Sequence, residues 1–371
     1  MIDSYIPNHP LSLYIHVPFC HKRCDYCAFY SSVFNSEVCD KYYRNLKLEL
    51  EKVVSEVNKP FETVYLGGGN PILLGKERII ELLNIAYKYG KAKETTIEIN
   101  PEDIDSSLSN LYPLVTRIST GLQSMSDNTL SLLNRRTRVK DNYKALEFLS
   151  SSPFIWNVDL ITSVPTTEIA DSIRDIDIVT SFNPDHISFY SLTFEENTPL
   201  IKRMAPIEEE EDRLFLVSGW HRLKEHGYDH YEISSFSHNG NECLHNKSYW
   251  SLSQYIGLGP SAESFLGYSD GVTMRNKESL EEFISSPSFD CERLSREECE
   301  ESFLLTALRT KYGINKKEYE RRFNRSFDSL YLKNIKMLDK SWYKNDEVCF
   351  SLTEEGMMMN DSIILTLSLS I

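Results

Sequence analysis

The sequence predicts an α/β fold: a partial (β/α)6 TIM-like barrel of parallel strands, followed by a small, mostly helical C-terminal domain. Three observations predict it. Six short apolar runs alternate with amphipathic helical stretches as far as Leu192. Strands that alternate with helices pair in parallel through right-handed crossovers, and six such units are too few to close an eightfold barrel. After Leu192 the alternation stops. A length of 371 residues fits one large and one small domain.

The first strand is LSLYIHV, Leu11 to Val17, ended by Pro18. A loop with clustered cysteines follows. Ser36 is placed to cap a helix with Glu37 in its first turn. Tyr42, Leu46, Leu50, Val53 and Val57 then recur at three- and four-residue steps, which is a helical stripe. Lys59-Pro60 ends it. A strand spans Phe61 to Leu66 and runs into three glycines. A helix over Glu77 to Tyr89, a strand over Thr95 to Ile99, and a strand opening at Arg117 to Ser119 come next. Helices are expected over Asp127 to Leu133 and Asp141 to Leu149, a strand over Phe154 to Ile161, a helix over Ile169 to Val179, and a sixth strand over His186 to Leu192. The acidic run Glu208 to Asp212 reads as the solvated first turn of a helix reaching about Lys224. Residues 228 to 276 read as loop-rich and dense in aromatics. From Arg296 short helices appear, then a strand over Glu347 to Leu352 and a turn over Thr353 to Gly356. The expected domains are 1–230, the barrel; 231–290, a connecting region; and 291–371, a C-terminal domain of possible winged-helix type.

Composition narrows the function. A net charge of −15, from 40 basic and 55 acidic residues, repels phosphate backbones and argues against nucleic acid as a partner. Met1 to Pro10 carries no basic run followed by an apolar stretch, so no secretory leader is expected. No run of about 18 apolar residues occurs; the tail from Ile363 to Ile371 is short and broken by serines. A cytoplasmic location is expected. In a reducing cytosol the eight cysteines are not a disulfide framework. Five of them are scattered, and Cys39 falls on a helical pattern as a small core residue.

The other three lie in Cys20-His-Lys-Arg-Cys24-Asp-Tyr-Cys27, a C-x3-C-x2-C spacing. Thiolates this close share a metal or are reactive. Short cysteine runs of this kind hold iron–sulfur clusters. Three cysteines leave one iron of a four-iron cluster open. A structural zinc would want a fourth ligand, for which His21 and His16 are the candidates, so zinc remains an alternative. Elsewhere, Gly67, Gly68, Gly69 and Asn70 follow a strand directly, where glycine lets backbone approach a ligand. Glu98, in TIEINPED, and Asp159, in NVDLI, are carboxylates in strands otherwise apolar, a costly placement unless paired.

YIHVPFCHKRCDYCAF resembles the cluster loop of the radical S-adenosylmethionine (radical SAM) superfamily. The resemblance implies a 4Fe-4S cluster on Cys20, Cys24 and Cys27. It implies SAM chelated to the open iron and cleaved by an electron from the cluster to a 5′-deoxyadenosyl radical, hence an electron donor as partner. It carries SAM contacts onto Tyr14, Tyr26, Gly68, Gly69, Asn70, Glu98, Gln123, Arg135 and Asp159. This chain has Asn70 where the family usually has Thr, Thr137 where His is common, and Ser163 where Gly is common.

Further motifs, DHISFY at Asp185, YEIS at Tyr231, HNKSYW at His245 and GLGPSA at Gly257, resemble the HemN/HemW group over nearly the whole chain. HemN members are oxygen-independent coproporphyrinogen III dehydrogenases; HemW members are viewed as haem chaperones. HemN proteins carry another cysteine two residues after the third, where this chain has Phe29, and a longer segment before the cluster than the 19 residues here. Both features point to the haem-binding branch. The resemblance thus implies haem as ligand, a haem-acceptor protein as partner, and His245 as the haem contact, since neutral imidazole is a good axial ligand. Tyr249 and Trp250 are expected to stack on the porphyrin. His16 and His186 are expected to be core histidines.

Overall fold

The structure is a computed structural model describing residues 5–277, 279–285 and 287–368. Six parallel strands follow in chain order: β1 (Leu11–Val17), β2 (Thr63–Gly68), β3 (Glu94–Glu98), β4 (Arg117–Gln123), β5 (Ile155–Thr162) and β6 (His186–Ser191). Each pairs with the next in parallel. The helices between them are α1 (Ser36–Val57), α2 (Lys76–Ala86), α3 (Asp127–Leu132), α4 (Val139–Ser150) and α5 (Ile169–Thr180), followed by α6 (Glu209–Glu225). The α/β expectation holds. Helix α1 is capped by Asn35, whose side chain accepts from the Val38 N–H, and not by Ser36.

Register explains why so many polar residues sit in these strands. Cross-strand partners share a face of a sheet. Ile15, Leu66 and Ile97 are partners across β1, β2 and β3, and Ile118 and Trp156 continue the row. This apolar face packs into one core with Tyr42, Leu46 and Leu50 of α1. The other face is polar. Tyr14 pairs with Tyr65, Tyr65 with Thr96, and Thr96 with Arg117. Glu98 pairs with Ser119, Ser119 with Asn157, and Asn157 with His186. This is the inner face of the barrel.

The region 228–276 is not loop-rich. It holds β7 (Asp229–Glu232), β8 (Ser235–Ser237), α7 (Leu244–Trp250), β9 (Gln254–Leu258), β10 (Glu263–Gly267) and β11 (Gly271–Asn276), and β12 (Phe289–Leu294) follows α8 (Leu280–Ser285). These strands are short and glycine-interrupted, so their alternation is weak in sequence. All join one twelve-stranded sheet, in the order β12-β11-β10-β9-β1-β2-β3-β4-β5-β6-β8-β7. β9 is parallel to β1; the outer pairs are antiparallel. A domain boundary at 230 therefore falls inside β7, and one at 290 inside β12.

The C-terminal part orders α9 (Arg296–Ala307), β13 (Ile314–Asn315), α10 (Lys316–Phe323), α11 (Phe327–Ile335), β14 (Tyr343–Asn345) and β15 (Cys349–Leu352), then α12 (Glu354–Met358) and α13 (Asn360–Ser368). β13, β15 and β14 form a small antiparallel sheet. Thr353 is not a turn residue but the N-cap of α12. Buried Arg322 ties this part to the barrel, donating to the carbonyls of Ser251, Leu252 and Tyr268. Among the described residues no helix is long and apolar enough to cross a membrane; residues 369–371 of the apolar tail lie outside them.

The floor of the barrel holds a buried ion pair. Arg117 Nε donates to Glu94 Oε2 at 2.9 Å, and Glu94 Oε1 accepts the His245 N–H at 3.0 Å. Removing one partner of a buried pair leaves an uncompensated charge. Glu94→Ala is expected to cost about 3–5 kcal/mol, read as a shift in the chemical-denaturation midpoint. A loss below about 1 kcal/mol would show that Arg117 finds other compensation.

Candidate functional site

The cysteine loop leaves the end of β1 and is pinned at its base. Phe19–Cys20 pairs in parallel with Ser32–Val33, and Asn70 N–H donates to the Phe19 carbonyl at 2.7 Å. From the far side, Asn134 Nδ2 donates to Asp25 Oδ1 at 2.6 Å, Arg203 pairs with Asp25, and Lys22 reaches Asn134. His21 faces Asp103 at 3.4 Å. Cys20, Cys24 and Cys27 are all half-buried free thiols. Burial, then the nearby charges of Cys27 and Cys24, push the Cys20 thiol up to about 12. Burial also raises Cys27. Sulfurs that oppose one another's ionisation need a cationic group between them, and bound metal deprotonates a thiol outright. Among the described residues no group of three His, Cys, Asp or Glu side chains is gathered closely enough to hold a metal ion, so the trio is not a closed mononuclear site in this conformation.

Arg135 stands over the loop. Its Nη1 lies 3.6 Å from Cys24 Sγ and 3.5 Å from the Tyr26 hydroxyl, and Nη2 donates to the Gly121 carbonyl at 2.7 Å. Burial opposes its charge, yet Tyr26, Cys24 and Glu102 beside it outweigh burial and hold it protonated. Its Nε is buried without a partner, an orphan donor that suits a carboxylate.

Across the mouth stand two carboxylates. Glu98 accepts from the Tyr65 hydroxyl at 2.7 Å and the Gly68 N–H at 3.0 Å. Asp159 accepts from Asn157 Nδ2 at 2.7 Å. Among the described residues neither has a salt-bridge partner. Burial raises both pKa values, Glu98 from 4.5 to about 7. Two half-buried carboxylates without a salt-bridge partner fit a cationic ligand. An amino acid sulfonium has a carboxylate for Arg135 and positive groups for Glu98 and Asp159. The residues present therefore fit SAM. Gln123, at φ 65 on a bulge of β4, accepts from the Tyr190 hydroxyl at 3.3 Å on the same inner face.

Other expected contacts are spent on structure. Asn70 is fully buried and its Nδ2 donates to Asp103 Oδ2 at 2.6 Å. Its side chain braces Asp103, which also faces His21 of the loop. Gly68 and Gly69 are required by packing. At Gly68, φ is 105 and a Cβ would meet the His16 ring at 2.5 Å; at Gly69 it would meet the Phe19 carbonyl oxygen at 2.4 Å.

Beside the mouth lies a cavity of about 530 Å³. Tyr14, Tyr30, Tyr65, Tyr249 and Tyr255 wall it, with Phe29, Glu98, Glu263, Arg275 and His245. Glu98 belongs to both cavity and mouth. His245 is not an open ligand here. Its Nδ1 meets Thr63 Oγ1 at 2.6 Å and its Nε2 the Tyr249 hydroxyl at 2.9 Å. Thr63 Oγ1 donates to Ser12, so Nδ1 carries the proton and Nε2 accepts from Tyr249. Burial lowers its pKa to about 3, which keeps it neutral. Trp250 is not in the cavity wall: its ring lies under Arg309, 4.6 Å away. Both nitrogens of His16 and of His186 have partners.

Several site residues carried no sequence signal. Asn134 and Arg203 clamp the loop from distant segments, and Arg275 reaches the cavity from an antiparallel extension of the sheet. Asn157 and Tyr65 were findable, as inward polar residues of apolar strands.

Comparison with known proteins gives the same picture. A family model described as the Radical SAM superfamily matches residues 14–177, and one described as the HemN C-terminal domain matches residues 294–359. Heme chaperone HemW of Buchnera aphidicola subsp. Schizaphis graminum is 30% identical over 367 residues, 96% of this chain and 97% of that protein. Heme chaperone HemW of Escherichia coli is 32% identical over 276 residues, 72% of this chain and 73% of that one. Among solved structures, coproporphyrinogen III oxidase (HemN) from Escherichia coli superposes with a TM-score of 0.83 over 99% of this chain and 92% of that chain, at 19% identity. That last likeness is one of fold.

The raised Glu98 makes a pH prediction for protein without added SAM. Its folded pKa lies above its ordinary value, so the folded state binds the extra proton between about 4.5 and 7. Stability is then present at low pH and falls as pH rises through that window. Glu98→Gln should flatten the fall in a series of thermal melts from pH 4.5 to 7.5; an unchanged slope would contradict it.

Proposed function

The chain belongs to the HemN/HemW family of radical SAM proteins, and on that footing we propose that it is a haem chaperone, which binds haem and passes it to an acceptor protein. The observation that carries the reading is the tyrosine-walled cavity set beside the cysteine loop, in a chain that matches proteins named heme chaperone along nearly its whole length. An aromatic pocket of this size suits a flat macrocycle with polar groups at its edge.

In this reading Cys20, Cys24 and Cys27 hold a 4Fe-4S cluster, and Arg135, Glu98 and Asp159 receive SAM, with Tyr26 and Gln123 beside it. When bound, the cluster and SAM supply one-electron chemistry at the sulfonium, for which an electron-donor protein is needed. The polar inner face presents groups that would hold the ligand's charges in fixed positions. The place of work is the cytoplasm.

His245 is the candidate axial ligand. Its protonated Nδ1 is backed by Thr63, the arrangement that aims the other nitrogen at a metal. Tyr249 caps that nitrogen, so ligation requires the tyrosine hydroxyl to swing away.

A second reading, oxidative decarboxylation of coproporphyrinogen III, is favoured by the HemN-like fold. Anaerobic incubation of reconstituted protein with SAM, reductant and coproporphyrinogen decides it: the chaperone reading expects no protoporphyrinogen beside an active control.

For haem itself, titration of purified protein should shift the Soret band. Tyr249→Phe uncaps Nε2 and should bind at least as tightly. Adding His245→Ala to that variant should abolish the shifted band. An unchanged band in the double variant would remove His245 as ligand, and no band in the wild type would remove the chaperone reading.

A further inference from the structure

The cavity has a chemical polarity from floor to mouth. Its floor is aromatic and acidic: Tyr65 and half-buried Glu98 lie there, beside buried, neutral His245. Its mouth is formed by neighbouring strands, where Glu263 of β10 stands directly opposite Arg275 of β11. Their side chains are 60% and 56% exposed, and Arg275 Nε lies 3.6 Å from Glu263 Oε1. Among the described residues lining the cavity, Arg275 is the one permanent cation. The next residue anchors it: Asn276 is buried and its Nδ2 donates to the Gly259 carbonyl at 2.8 Å. The neighbouring lysine, Lys277, is held by Asp290 at 2.6 Å.

Resting on the reading that this cavity takes a porphyrin, we propose that Arg275 binds the ligand's carboxylates at the mouth and so sets its orientation, with Glu263 as their competitor. A carboxylate entering the floor meets Glu98 and the tyrosines, where no cation replaces the water it gives up. A carboxylate left at the mouth meets a planar guanidinium fork, which matches it bidentately. The aromatic edge of the macrocycle then goes inward against the tyrosines. The exposed pair with Glu263 is weak enough to exchange for such a ligand. The cavity thereby selects flat aromatic molecules with anionic groups on one edge.

The test compares haem with its dimethyl ester by optical titration of the full chain. Both substituted positions are exposed, so folding is not at stake. Arg275→Gln should weaken haem about fivefold, and Glu263→Gln should tighten it about twofold, while neither moves ester affinity. Equal effects on haem and ester, or no effect on haem, would overturn the assignment. If the wild type binds neither ligand, the porphyrin reading falls first, and this assignment with it.

Discussion

The inner face of the partial barrel is polar, and buried polar groups must be satisfied. That constraint organises the molecule. The strands turn an apolar face to the helices and a polar one to the lumen. At the floor the charges are met internally: Glu94 neutralises Arg117, and His186 bridges Asn157 and Tyr231 at 2.6 and 2.8 Å, while among the described residues Arg117 Nη1 and Thr96 Oγ1 stay without a partner. At the mouth they are not. Among the described residues Glu98 and Asp159 have no salt-bridge partner, and Arg135, whose charge reaches Asp159, keeps an unpartnered Nε. A fold stable at one end and incomplete at the other is a scaffold for a charged ligand.

The cysteine loop is held by the same logic. Asp25 answers Asn134 and Arg203, and Asn70 answers Asp103. None of these contacts touches the sulfurs. They fix the path of the loop that carries the three thiols. Asn70 shows how a residue in a ligand-binding motif serves the motif's shape. Ser163 shows the opposite, a side chain where the backbone is left-handed, with φ 62; the family's glycine avoids that strain.

The six parallel strands were legible because each is a short apolar run between turn signals, and the cysteine spacing marked the loop as a candidate metal site. Glu98 and Asp159 were legible as charges inside apolar strands. The antiparallel strands from Asp229 to Leu294 were not, because each is short and two of its turns are glycine-borne. His245 stood out in the sequence as a histidine beside aromatics, but its capping by Tyr249 depends on a contact one helical turn away and its backing on Thr63 from β2. Trp250 lies one residue further around that turn and faces Arg309 instead.

The central claim is that three thiols and an orphan arginine build one centre for a four-iron cluster and SAM. Anaerobic reconstitution with iron and sulfide, followed by electron paramagnetic resonance of the reduced protein with and without SAM, tests it most directly. The account expects about four irons per chain and a reduced-cluster signal that changes when SAM is added. Zinc in place of iron, or a cluster signal indifferent to SAM, would contradict it.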